Sequence, residues 1–150
     1  MGILIDNRQT LHKISPQQIR KTAIALLNAL DSPDSELSVV MVDDQKISEL
    51  NLQYLNREGP TNVIAFPMQE GDYSEINPDL AGDVVISVDT AKKESREAQM
   101  DFDERIDQLL VHGILHLFGY DHEHTEAEAM VMENKALELM DAIKLTIIGG

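Results

Sequence analysis

Residues 112 to 122 read His-Gly-Ile-Leu-His-Leu-Phe-Gly-Tyr-Asp-His. A helix has to run through this block and has to stop inside it. An α-helix turns ~100° and rises ~1.5 Å per residue, so His112 and His116 fall within ~40° of one another, one turn apart. Leu109, Leu110, Ile114, Leu115, Leu117 and Phe118 occupy the remaining faces and predict a helix with core around it. His122 would point to the wrong side if the helix ran on. Gly119 is the residue best able to take the left-handed conformation that ends a helix, and the chain can then fold back to bring a third ring. Three imidazoles without cysteine suit zinc and leave its fourth position open for water, an arrangement commoner in catalytic than in structural sites. The competing reading, ordinary histidines on a buried helix, does not account for the joint spacing with Gly119.

The chain has 150 residues, 43% hydrophobic content, no Cys and no Trp. That is enough to bury a core without disulfides, and a single domain over residues 1–150 is expected. No segment reaches the ~20 apolar residues of a membrane span. Met1 to Asp6 lacks the form of a signal peptide, so a cytoplasmic protein is expected. The formal charge of −15 excludes a generally basic, nucleic-acid-wrapping surface. Any phosphate contact has to be local. Half of the twelve basic residues, Arg8, Lys13, Arg20, Lys21, Lys46 and Arg57, lie in the first sixty positions. Acids crowd Glu70 to Asp83 and Asp101 to Asp107, read as solvated surface, and Arg105 sits within the second run with no expected part in a site.

Ile3 to Ile5 reads as a short strand. Ser15-Pro16-Gln17-Gln18 gives an N-cap, a first-turn Pro and a capping-box Gln for a helix whose stripe is Ile19, Ala23, Leu26, Leu27 and Leu30. Leu37 to Val42 is strand-like, and Asp43 or Asp44 caps a helix with Ile47, Leu50 and Tyr54 on one face. Asn62 to Phe66 and Asp83 to Val88 read as two more strands, with Met68 to Ala81 as a surface loop between them. Asp89 and Asp103 are the expected caps of the next two helices, and Thr125-Glu126-Ala127-Glu128 boxes the last. The order β-α-β-α-β-β-α-α-α predicts an α+β domain: a small mixed β-sheet of about four strands covered by helices, with a zincin-like metal helix buried among them.

Zincin peptidases carry a glutamate base directly after the first ligand histidine, and this chain has Gly113 there. Asp121 can be read as a replacement base, as a carboxylate accepting the N–H of a ligand imidazole, or as a plain turn residue. The block His-Gly-x-Leu-His-Leu-x-Gly-Tyr-Asp-His resembles that of the YbeY family, bacterial single-strand endoribonucleases of ribosomal RNA maturation. It is filled by His112 through His122 without a mismatch. Leu50-Asn51, Tyr54 and Pro60-Thr61-Asn62-Val63-Ile64-Ala65-Phe66-Pro67 are similar to a second family segment, with Ala65 for the usual Ser, and Gly82-Asp83-Val84-Val85-Ile86-Ser87 to a third.

The resemblance implies a zinc-dependent, single-strand-specific endoribonuclease of 16S rRNA 3′-end maturation and ribosome quality control. His112, His116 and His122 would hold one Zn2+, or another divalent ion such as nickel. The expected partners are single-stranded ribosomal RNA and ribosomal subunit proteins, with no DNA and no membrane. Many family members have Arg directly after the Tyr. Here Leu55 stands there and Arg57 follows two positions on, the candidate to grip phosphate. Tyr54 is a candidate for stacking on a base but on its spacing belongs to the core, and His12 and His124 read as surface histidines. The rival readings are a metal-dependent hydrolase of another substrate, such as a peptide, and a non-catalytic zinc-containing ribosome assembly factor.

Overall fold

The computed structural model describes residues 2–67, 80–120 and 125–149. Its elements follow the expected order: β1 (Ile3–Asn7), α1 (Pro16–Ala29), β2 (Glu36–Val42), α2 (Asp44–Leu55), β3 (Val63–Pro67), β4 (Leu80–Ser87), α3 (Val88–Glu97), α4 (Phe102–Leu117) and α5 (Glu126–Gly149). The four strands form one sheet in the order β1-β2-β4-β3, parallel except for β3, which runs antiparallel to β4 at the edge. This is the mixed-sheet α+β fold that the sequence order predicts.

Both faces of the central strands are apolar because both are covered. Leu37, Val39 and Met41 of β2 and Val84 and Ile86 of β4 point into the main core, shared with α1, α4 and α5. Val42 and Val85 point to the opposite face, where Ile47 of α2 and Ile64 of β3 close a smaller cluster. Strands buried on two sides read as continuous apolar runs rather than alternating ones. Met132, Leu139 and Ile143 attach α5 to the main core.

The helix ends follow local chemistry. Ser15 Oγ accepts from Gln18 N at 3.3 Å, Asp43 Oδ1 from Lys46 N at 2.8 Å and Thr125 Oγ1 from Glu128 N at 3.0 Å, as their capping sequences predict. Two caps differ from expectation. Ser87, the last residue of β4, caps α3 through Thr90 N, and Asp89 lies in the first turn. Its carboxylate instead accepts from Asp44 N at 2.9 Å and holds His12 Nε2 at 3.0 Å. His12 is thus half-buried and tied down, not a free surface histidine. Asp101 stands at the N-cap of α4 and Asp103 falls inside its first turn. Strand β4 begins at Leu80, so the loop expected over Met68 to Ala81 ends earlier at its C-terminal side; residues 68–79 lie outside the described residues. No helix of the described residues is long and apolar enough to cross a membrane.

Candidate active site

Helix α4 supplies the site because almost every side of it is needed for packing except one. Ile106, Leu109, Leu110, Val111, Ile114, Leu115 and Leu117 are buried. The remaining stripe carries Arg105, Gln108, His112 and His116, and all four line a cleft of about 950 Å³. The two imidazoles are half-buried, their ring centroids 5.2 Å apart with planes 69° from parallel. The sequence reading of two rings one turn apart on one helix face is what the structure has.

The turn after them is equally specific. Gly119 has φ +94°, in the left-handed region. Its N–H donates to His116 O at 3.1 Å, and Tyr120 N donates to Leu115 O at 3.0 Å. That pair of reverse bonds is a Schellman motif, which satisfies the last carbonyls of α4 and ends the helix at the cleft, where Gly119 and Tyr120 are lining residues. Residues 121–124, with Asp121, His122 and His124, lie outside the described residues. Among the described residues no cluster of three metal-binding side chains occurs.

Gly113 faces the sheet. A Cβ there would come within 2.6 Å of Val84 Cγ1 and 3.2 Å of Val63 Cγ2. The position where a zincin peptidase carries its glutamate base is therefore one where α4 touches β4, and it has no room for a carboxylate. Close packing of α4 on β3 and β4 is what brings the histidines to the edge strand, whose Val63, Ile64 and Ala65 also line the cleft.

The other cleft wall is the end of α2. Asn56 takes φ 55° and closes the helix, and Leu55 before it and Arg57 after it both line the cleft. Asn51, buried, holds this loop: its Nδ2 donates to Gly59 O at 3.0 Å and its carbonyl accepts from Arg57 N at 3.2 Å. Arg57 can thus reach the space that a side chain at Leu55 also borders. Tyr54 is 60% exposed, its ring edge-on to Phe66 with centroids 5.4 Å apart, and it is not among the cleft-lining residues. The core role expected of it does not hold.

Residues that sequence reasoning left out complete the cleft. Arg105, expected to be a solvated residue of an acidic run, lines it and is held by Glu94. Its spacing was informative: seven residues before His112 is two turns, on the same face. Glu133 and Leu137 of α5 line the far side, and nothing in their sequence context marks them. A large pKa displacement lies away from this cleft, at Asp107. Burial, with lesser repulsion from Asp103 and Glu104, pushes the Asp107 carboxyl up to about 6. The nearby Thr22 hydroxyl draws it back down, although Thr22 Oγ1 is buried without a well-formed hydrogen bond.

Fold and cleft together define an α+β domain in which a helical histidine pair faces an arginine loop across the edge of a small sheet. A sequence profile described as Endoribonuclease YbeY matches residues 4–144. Curated relatives bearing that name include those of Geobacter sulfurreducens, 51% identical over 93% of both chains, and Syntrophotalea carbinolica, 47% identical over 96% of this chain and 97% of the relative. The solution structure of TM1509 from Thermotoga maritima superposes with a TM-score of 0.65 at 25% identity, covering 94% of this chain and 88% of that one. The chain belongs to the YbeY endoribonuclease family.

Proposed function

We infer that the protein is a metal-dependent endoribonuclease that cuts single-stranded ribosomal RNA in 16S 3′-end maturation and ribosome quality control, in the cytoplasm. The observation that carries this reading is the pairing of His112 and His116 on one face of α4, opposite Arg57, in a cleft large enough for several nucleotide groups. The relatives' shared name, endoribonuclease, supports the reaction class.

Two neutral imidazoles one turn apart are donors of the kind a divalent transition ion takes, and zinc fits a set completed by His122. An ion held by these three would supply polarisation of a phosphate oxygen and a nucleophile at neutral pH. The chain's own groups do the rest. Arg57 neutralises charge on the scissile phosphate through bidentate N–H donation, and the Asn51 contacts fix the loop that carries it. Asp121, directly before His122, is assigned the role of orienting a ligand imidazole or taking a proton. The apolar side chains of Val63 and Leu137 give bases an apolar surface to lie against.

Of the rival readings, peptide hydrolysis loses support from Gly113, whose side-chain position is closed by Val84. The test is parallel incubation with single-stranded RNA spanning the 16S 3′ end, duplex RNA and a peptide mixture, each with and without chelator. Cleavage of the single strand alone, stopped by chelator, is expected. Cleavage of peptide only, or of nothing, contradicts the reading.

A further inference from the structure

The polar end of the cleft is built from three elements around one carboxylate. Glu94 of α3 accepts from Arg105 Nη2 at 2.9 Å and Nε at 3.1 Å, and from Asn62 Nδ2 at 3.3 and 3.2 Å. Arg105 Nη1 donates to Gln108 Oε1 at 2.7 Å. Arg105, Gln108 and Asn62 line the cleft, whereas Glu94 does not. The cation faces the cavity and its carboxylate stands behind it.

Three of the five guanidinium N–H donors are used in these bonds, which fixes the plane of the group and leaves two for a ligand. Among the described residues the charged groups lining the cleft are Arg57, Arg105 and Glu133, two positive against one negative in a chain of net charge −15. With Glu94 behind Arg105 the charges here balance, whereas the chain as a whole is strongly negative, which lowers the barrier to entry of a polyanion. A part-exposed ion pair adds little to folding stability, so the fold alone gives weak reason for this arrangement.

We propose that Arg105 is a second phosphate-binding residue, taking a backbone phosphate that flanks the scissile one on the same single strand. It stands seven residues before His112, ~10.5 Å along the helix axis, too far for one phosphate group to meet both. Glu94, Gln108 and Asn62 act as positioning residues that hold the guanidinium at the cleft wall. The contact is to backbone, so it adds affinity and a minimum strand length without base preference. This rests on the endoribonuclease reading of the cleft.

The test compares wild type, Arg105→Gln, Glu94→Gln and the double variant, all as full chains with metal. The double variant removes both charges and leaves no unpaired ion, so it separates binding from folding. Binding of a cleavage-resistant single-stranded oligoribonucleotide should fall about tenfold in Arg105→Gln and in the double variant. The slope of log affinity against log salt should become shallower by about 0.7, the value of one single-strand phosphate contact. Glu94→Gln should weaken binding less than Arg105→Gln, because its amide oxygen can still accept from the guanidinium but holds it less firmly. Cleavage of a long strand should show raised KM with kcat kept, and cleavage of a dinucleotide should be unchanged. If the double variant bound and cut like wild type, Arg105 would be structural only and this inference would fail while the nuclease reading stood. If wild type bound no RNA, the nuclease reading would fall and this inference with it.

Discussion

Gly113 and Val84 approach so closely that a Cβ on the glycine would lie 2.6 Å from Val84 Cγ1. Helix α4 therefore rests on the sheet through a position that only hydrogen fits. Gly→Ala inside a helix ordinarily stabilises by ~1 kcal/mol, while overpacking a core costs ~1–3 kcal/mol. Gly113→Ala should be destabilising by about 1 kcal/mol, and Val84→Ala in the same chain should remove that penalty, giving a favourable coupling energy in chemical denaturation. Gly113→Glu should lose more than about 3 kcal/mol and gain no peptidase activity, because its carboxylate would be driven into the sheet. A well-folded Gly113→Glu variant that cut peptides would reverse this account of the helix.

Gly119→Val tests the turn. Space is open around that position, nothing lying within 4 Å of a built Cβ, so the cost is backbone strain alone at φ +94°. For a β-branched residue that is ~1–3 kcal/mol. The variant should melt lower and retain little metal although no ligand has changed, as differential scanning calorimetry and elemental analysis would show. Wild-type metal content would mean that the reverse bonds from Gly119 and Tyr120 do not govern how the chain returns to α4.

Arg57→Glu should leave the melting temperature nearly unchanged and cut single-stranded RNA cleavage by at least about tenfold, ~1.4 kcal/mol, the worth of one charge-assisted phosphate contact. Arg105 cannot serve as the control, since it lines the same cleft. Lys21, exposed on α1 and outside the cleft lining, can: Lys21→Glu makes the same charge change and should cleave like wild type.

Asp107 makes stability depend on pH. Its carboxyl is raised from 3.8 to about 6 in the folded protein, chiefly by burial. The folded state therefore holds the proton more tightly than the unfolded one. The resulting stabilisation is complete below about pH 3.8 and is lost as pH rises through about 6. A rise from 3.8 to about 6 corresponds to ~3 kcal/mol at full burial, and discounting for partial exposure leaves about 1 kcal/mol. Asp107→Asn should be more stable than wild type by about that amount at pH 8 and equal to it near pH 4, measured by urea unfolding at both values.

Much of this was legible in the sequence because it is local. The order of elements, the caps at Ser15, Asp43 and Thr125, the pairing of His112 with His116 and the left-handed Gly119 all follow from residues within one or two turns of each other. What was not legible depends on tertiary placement. Asp89 looked like a cap because it precedes a helix, but Ser87 at the end of β4 has the geometry, and Asp89 is drawn to Asp44 and His12 across the fold. Tyr54 has core spacing, yet α2 covers only part of the sheet and leaves that ring at its edge. Arg105 read as part of an acidic surface run because its partner Glu94 is on another helix.

The histidine pair on α4 is proposed to hold the ion on which RNA cleavage depends. The most direct measurement is elemental analysis of purified wild type, His112→Ala and His116→Ala together with their cleavage of single-stranded 16S 3′ RNA. Wild type should carry about one zinc or comparable divalent ion per chain, both variants should lose it, and cleavage should fall with it while the fold is kept. Wild-type cleavage by folded variants that carry no metal would contradict it.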